Sequence, residues 1–377
     1  MPFLLRALFA LAFTITVSSS VGAQIVVGSW NIQTLATNGV VFPGDYQRTD
    51  SDFALLRMAR DKIGADVLAL EEVTSPHAVS KVFPLSEYVI CFSGQYDADA
   101  AGLAPHYPPA SLGNIKPTCY DTQTTLPDPP AGQPRKQYVA IVVRRASGVA
   151  AQSIVDVPGL GLAVEEEDHQ THKMVIRNVR WGLDATLTKG ATKFRLLAVH
   201  MKSGCPQGAL LKDRWNNPNW KWAPDGQSDH ACMTLARQMR PLRDWIAKAK
   251  AGKTPFIIAG DFNRRIDAEE GDAQSPDFWP IVTGKATPGP GDDIALARVP
   301  QGAASLKACW PEEDHSDFRN AIDYMIFSPG LRPADWEATY RKVRYSELID
   351  PATGKPLTKA ADAKRMSDHC PIALRLN

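Results

Sequence analysis

Short apolar runs rich in β-branched residues recur along the chain, at 25–30, 67–70, 138–143, 194–199, 256–259, 322–327 and 371–374. Each has strand length and strand composition. Two stretches between them carry helical periodicity. In 51–63, Phe53, Leu56 and Ile63 fall on one face behind an Asp50/Ser51 cap. In 229–249, Leu235, Met239, Leu242 and Ile246 form an apolar stripe, and Pro241 inside it predicts a kink. Segments 93–135, 205–230 and 265–318 read as long loops, which in a compact domain carry function or are held by crosslinks. No repeat or low-complexity linker marks a boundary after residue 23, so 24–377 is expected to form one mixed α/β domain.

Composition narrows the class. With 377 residues, 44% hydrophobic and 22% charged, the chain has the profile of a soluble globular protein rather than a disordered or polytopic membrane one. Lys plus Arg is 42 against 41 for Asp plus Glu, which excludes a global basic field but leaves room for a local one. The first 23 residues place Arg6 before an apolar stretch at 7–17 and end in Val21-Gly22-Ala23, the pattern of a cleaved secretory signal. The stretch is shorter than the ~20 residues a spanning helix needs, so a secreted or periplasmic protein without stable membrane association is expected. Six cysteines (91, 119, 205, 232, 309 and 370) then read as disulfides. Neighbour pairing would join 91 to 119, 205 to 232 and 309 to 370. That is one of fifteen connectivities, and buried free thiols are the alternative.

Polar groups gather at the strand ends. Asn31 follows the first run, Glu71-Glu72 the second, His200 and Lys202 the fourth, and Asp261 and Asn263 the fifth. Asp323 interrupts an apolar run, and Asp368-His369 precedes the last strand. Singly, a strand-terminal Asp or Asn is more often a turn former or helix cap than a catalyst. An acid inside an apolar strand is different, because its burial costs on the order of several kcal/mol unless it is paired. As a set, the carboxylates suit a hard divalent ion, and two histidines can exchange protons at a phosphate.

The segments GSWNIQTL, ADVLALEEV, AVHMKSG, AGDFN, AIDYMIF and MSDHCPI, in this order over 28–372, resemble the endonuclease/exonuclease/phosphatase superfamily, which has the fold of pancreatic deoxyribonuclease. That resemblance implies a four-layered α/β sandwich, two mixed β-sheets face to face with helices outside, and a site at one end of the sheets. It places Asn31, Glu72 and Asp368 in a metal and phosphate network. It makes His200, Asp261, Asn263, Asp323 and His369 catalytic, with Asp323 paired to His369, and it implies Mg²⁺ or Mn²⁺ as cofactor, with Ca²⁺ in a structural role. Glu71 stands where the family often has Gln.

Two positions depart from the deoxyribonuclease branch. Lys136-Gln137 replaces a Glu that pairs with the first catalytic His, and Gln33 replaces an Arg. Between His200 and His230, Lys202, Lys212, Arg214, Trp215, Trp220, Lys221 and Trp222 interleave cationic and aromatic groups. Of these, Lys202, Lys212, Trp220 and Lys221 are candidates for contacts to nucleic-acid phosphates and bases. The tryptophans could equally pack as the private core of that loop. Glu165 to Asp168 with His169 and His172 has residue types that hold a metal, but a solvated acidic turn between strands is the favoured reading. A monomeric, exported, metal-dependent nuclease is the leading expectation. A phospholipid or small-phosphoester hydrolase is the alternative on the same fold, and an inactive binding module is disfavoured by the complete polar set.

Overall fold

The computed structural model describes residues 24–37, 46–102, 115–123, 125–129, 136–167, 174–206, 210, 227–269, 278–285, 294–314, 321–331 and 335–376. The expected signal segment lies outside them. The strands are β1 (Ile25–Leu35), β2 (Val67–Val73), β3 (Tyr88–Phe92), β4 (Thr118–Tyr120), β5 (Tyr138–Arg144) and β6 (Ala150–Val157). There follow β7 (Ala163–Glu167), β8 (Met174–Asn178), β9 (Gly182–Lys189), β10 (Thr192–His200), β11 (Phe256–Asp261) and β12 (Ala297–Val299). The last are β13 (Asp323–Phe327), β14 (Arg341–Lys342), β15 (Ile349–Asp350), β16 (Lys355–Pro356) and β17 (Ile372–Leu376).

Two mixed sheets form the body. One has seven strands in the order β14-β17-β1-β2-β5-β3-β4, the other six in the order β12-β13-β11-β10-β9-β6. In each, one parallel pair lies among antiparallel ones: β1 with β2, and β10 with β11. Parallel neighbours need a covering crossover. The helix Asp50–Ile63 connects the first pair and the helix Gln227–Ala251 lies between the second.

Buried side chains fall into three apolar layers, which is what four structural layers require. Val27, Val67, Ala69, Ile141, Leu196, Ala198, Ile257, Ala259, Met325 and Leu374 fill the space between the sheets. Trp30, Leu55, Leu56, Leu70 and Val79 join the first sheet to its helices. Leu197, Val199, Leu235, Met239, Leu242, Ile246 and Ile258 join the second sheet to the long helix. Alternation along β10 accounts for this, since Leu196 and Ala198 face the other sheet while Leu197 and Val199 face the helix. The α/β sandwich expected from the sequence is the observed fold.

Several local expectations are corrected. The first helix starts at Asp50, and Thr49 is its N-cap rather than Asp50 or Ser51. Asp52 completes a capping box there because its carboxylate accepts from the Thr49 amide at 2.8 Å. The second helix spans Gln227–Ala251, two residues longer at each end than the periodicity indicated, with Pro241 inside it. The segments read as loops contain regular structure: 93–135 holds the helix Gln95–Ala100 and β4, and 265–318 holds the helix Phe278–Thr283 and β12. Glu165, Glu166 and Glu167 lie in β7, which pairs with β8, and Asp168, His169 and His172 lie outside the described residues.

The cysteines pair as chain neighbours: Cys91–Cys119, Cys205–Cys232 and Cys309–Cys370. The first links directly opposed residues of β3 and β4. The third ends beside His369. Among the described residues, no helix is long and apolar enough to cross a membrane.

Candidate active site

Strand register brings the second sheet's polar groups into line. His200 opposes Asp261 across the parallel β10–β11 pair, and Asp261 opposes Asp323 across the antiparallel β11–β13 pair. Three neighbouring strands thus deliver an imidazole and two carboxyls at one level. Asp323 opens its strand and is half-buried, rather than interrupting an apolar run as the sequence suggested. Gly260 makes the row possible: a Cβ there would stand 1.9 Å from the Val199 carbonyl oxygen, and its φ of 151° is closed to other residues.

The first sheet meets this row through Asn31. The Asn31 Nδ2 donates to Glu72 Oε1 at 3.2 Å and to Asp261 Oδ2 at 3.1 Å, so one amide draws together carboxylate oxygens from both sheets. The strand ends are re-aimed by left-handed residues: Gln33 (φ 31°), Thr34 (φ 54°), Glu72 (φ 57°) and Asn263 (φ 51°). For Glu72 this conformation costs about 1–3 kcal/mol, and it coincides with irregular register in both β1–β2 and β2–β5. The return is a carboxylate fully engaged on one side. Its Oε2 accepts from the Thr34 amide at 3.2 Å and from Gln137 Nε2 at 2.6 Å.

Asp261 is buried and held by Asn263, whose backbone amide donates to Oδ1 at 2.7 Å and whose Nδ2 donates to Oδ2 at 3.1 Å. Asn263 Nδ2 also reaches the Met201 carbonyl at 3.0 Å. Burial pushes the Asp261 carboxyl up to about 7, with His369 opposing the rise and Asp323 and Glu72 adding to it.

The two histidines are driven apart. His369 Nδ1 meets Asp323 Oδ2 at 2.9 Å, the pairing the resemblance implied, and its Nε2 faces Asp261 Oδ2 at 3.7 Å. Burial opposes a charge on His369, but Asp323 and Asp261 outweigh it and raise its pKa well above the ordinary value. His200 goes the other way, because burial, Arg180 and His369 hold it well below the ordinary value. Its Nε2 lies 3.7 Å from both Glu72 Oε1 and Asp261 Oδ2, and its Nδ1 is buried without a hydrogen-bond partner among the described residues.

Asp368 stands at the exposed rim. Its amide donates to Gln33 Oε1 at 3.1 Å, and its Oδ1 is 3.9 Å from His369 Nε2. Lys202 is half-buried with its amide bonded to Gln238 Oε1. Lys212, Trp220 and Lys221 lie outside the described residues.

The donor set fits a hard divalent cation. Glu72 Oε1 and Asp261 Oδ2 both accept from Asn31 Nδ2, which sets two hard oxygen donors from the two sheets beside each other, and Asp368 adds an acid at the exposed rim. Ligand atoms of Asp261, Asp323 and His369 also lie within 4.8 Å of one another. There, however, the imidazole Nδ1 is already engaged by Asp323.

Four side chains that sequence reading did not place also matter. Glu71 is not a second acid beside the metal ligand. Strand alternation turns it under the site, fully buried, where it accepts from Ser29 Oγ at 3.3 Å, and burial, Asp323 and Asp261 raise its carboxyl well above the usual range. Arg48 is buried and donates to the carbonyls of Thr34, Arg365 and Met366, stapling the end of β1 to the segment before Asp368. Gln137 serves Glu72 rather than His200, and Arg180 serves Gln137. A position-by-position reading has no signal for Arg48 or Arg180, since each acts through backbone or amide groups distant in sequence.

A comparison with curated protein sequences finds no match. Among solved structures, the chain is similar to the human Nocturnin catalytic domain with bound sulfate, at 14% identity over 94% of each chain and a TM-score of 0.44. It is similar to an endonuclease/exonuclease/phosphatase from Bacteroides vulgatus, at 13% identity over 94% of this chain and 98% of that one, TM-score 0.43. A truncated TDP2 from Caenorhabditis elegans gives 13% identity over 94% and 98%, TM-score 0.42. Residues 28–369, from the strand carrying Asn31 to His369 itself, match the sequence model of one family. The chain therefore belongs to the Endonuclease/Exonuclease/phosphatase family.

Proposed function

We propose that this protein is an exported, divalent-metal-dependent phosphodiesterase that hydrolyses nucleic acid. The observation that carries the reading is the convergence of Glu72 and Asp261 oxygens on Asn31, beside one imidazole paired to a carboxylate and one left neutral. Glu72, Asp261 and Asp368 would hold Mg²⁺ or Mn²⁺, which when bound neutralises charge on the non-bridging phosphate oxygens.

The chain's own groups divide the remaining work. The amide and side chain of Asn263 fix the orientation of Asp261, which suits it to align the attacking water, whose proton passes to solvent. The water oxygen bonds to phosphorus as the bond to the leaving oxygen breaks, and the leaving oxygen takes a proton from solvent. His369, held as imidazolium by Asp323, places positive charge where the phosphorane gathers negative charge. Neutral His200 presents an N–H to the same region without adding charge.

The nuclease reading rests on the cationic and aromatic content of 200–230. The purified protein should cleave plasmid DNA or RNA with Mg²⁺ or Mn²⁺, lose activity in EDTA, and lose it in Glu72→Gln with the fold retained. Full turnover in excess chelator would refute the metal role. Sphingomyelin turnover exceeding that of every nucleic acid would favour a lipid substrate.

A further inference from the structure

We propose that Arg180 and Gln137 form a positioning relay that presents Glu72 to a divalent cation; the inference rests on the metal-dependent reading above. The Arg180 guanidinium donates to Gln137 Oε1, while Gln137 Nε2 donates to Glu72 Oε2 at 2.6 Å and to Thr34 Oγ1 at 3.1 Å. Gln137 lies just before β5 and Arg180 just before β9, so the relay ties the lead-in to a strand of one sheet to the lead-in to a strand of the other.

The chemistry of the amide explains the arrangement. A glutamine side chain has a donor end and an acceptor end of nearly equal shape, and nothing in packing alone tells them apart. Arg180, with donors only, selects Oε1 for itself and so obliges the Nε2 end to face Glu72. Arg180 placed directly on Glu72 would also fix it, but would neutralise the carboxylate a metal needs. The amide passes on orientation and leaves the negative charge intact. Oε2 is thereby occupied by the Thr34 amide and Gln137, while Oε1, beside Asp261 Oδ2 and Asn31, is the oxygen turned to the centre.

The sign of one measurement separates this relay from simple electrostatics. Removing a nearby cation should by itself tighten binding of a divalent metal, because repulsion is relieved. The relay predicts the reverse, since groups behind a metal ligand support its affinity by about ten-fold or more. Mn²⁺ binding to the purified protein, followed by electron paramagnetic resonance of the free ion, should weaken about ten-fold in Gln137→Met and in Arg180→Met. The double variant should be no weaker than Gln137→Met alone, because both changes break one chain. Melting temperatures in EDTA report whether each variant keeps its fold. Unchanged or tighter Mn²⁺ binding in a folded Arg180→Met, or losses that add in the double variant, overturns the relay while leaving the metal centre standing. A parent protein that takes up no Mn²⁺ overturns both.

Discussion

His369 Nδ1 lies 2.9 Å from Asp323 Oδ2, and this contact sets the charge of the imidazole at the centre of the site. Burial alone would keep His369 neutral, and Asp323 is the largest of the influences that reverse that. In Asp323→Asn the imidazolium loses its chief support while the contact distance is preserved. We expect kcat to fall about 10²–10⁴-fold. Because the His369 pKa then drops, the alkaline limb of kcat/KM moves to lower pH. A pH–rate profile with that limb unmoved would show that His369 does not act as a cation.

Glu71 gives a stability prediction with a defined sign. Its folded carboxyl titrates well above the unfolded one, so its contribution is fully present below the unfolded pKa and is lost as pH rises through the folded pKa. Glu71→Gln has no proton to lose there and can keep the bond from Ser29. The variant should match the parent under acid conditions and melt at higher temperature under alkaline ones. Parallel melting curves across that range would count against a buried, protonated Glu71.

The third prediction concerns Cys309–Cys370, which closes 61 residues and ends next to His369. Mass spectrometry should find no free thiol in the protein. Replacing both cysteines with serine should cost about 2–5 kcal/mol, and kcat should fall further than in the corresponding Cys91/Cys119 variant, whose bridge joins β3 to β4. Equal activity losses in the two variants would argue that the bridge serves stability alone.

How much of this was legible in advance follows from what kind of information each feature uses. The seven apolar runs, the long helix and the polar groups flanking those runs are visible locally, whereas the site roles of Asn31, Glu72, His200, Asp261, Asn263, Asp323 and His369 came from the resemblance of six short segments to a family. Burial cost in an apolar strand demanded a partner for Asp323, and the family resemblance supplied His369 as that partner. Thr49 as N-cap was missed because Asp50 and Ser51 are equally good capping types, and only the Asp52 return bond decides among them. The fate of Glu71 was missed because two adjacent acids leave open which one faces in; the left-handed Glu72 settles it. Gln137 looked like a gap in a known pattern, and its actual partner depends on Arg180, 43 positions away.

The fourth prediction separates contacts along a polymer from chemistry at the phosphate. Lys212→Ala and Lys221→Ala should each raise KM for long DNA or RNA and flatten its salt dependence. A small chromogenic diester should be cleaved equally by these variants and the parent, whereas His200→Ala should cripple both reactions. Lysine variants indistinguishable from parent on long polymers at every salt concentration would remove the nuclease reading's main support.

The alignment of His200, Asp261 and Asp323 on consecutive strands also bears on how such a protein can change over time. Their spacing is fixed by ladder hydrogen bonds and by a glycine with no room for a side chain, not by the connections between strands. Insertions into those connections can therefore lengthen, shorten or recharge the rim without moving the reacting groups. A family built on this frame can trade one phosphoester for another by rewriting loops, and if the proposed function holds, laboratory diversification confined to 206–226, which spares the Cys205–Cys232 bridge, should change preference while the chemistry stays constant.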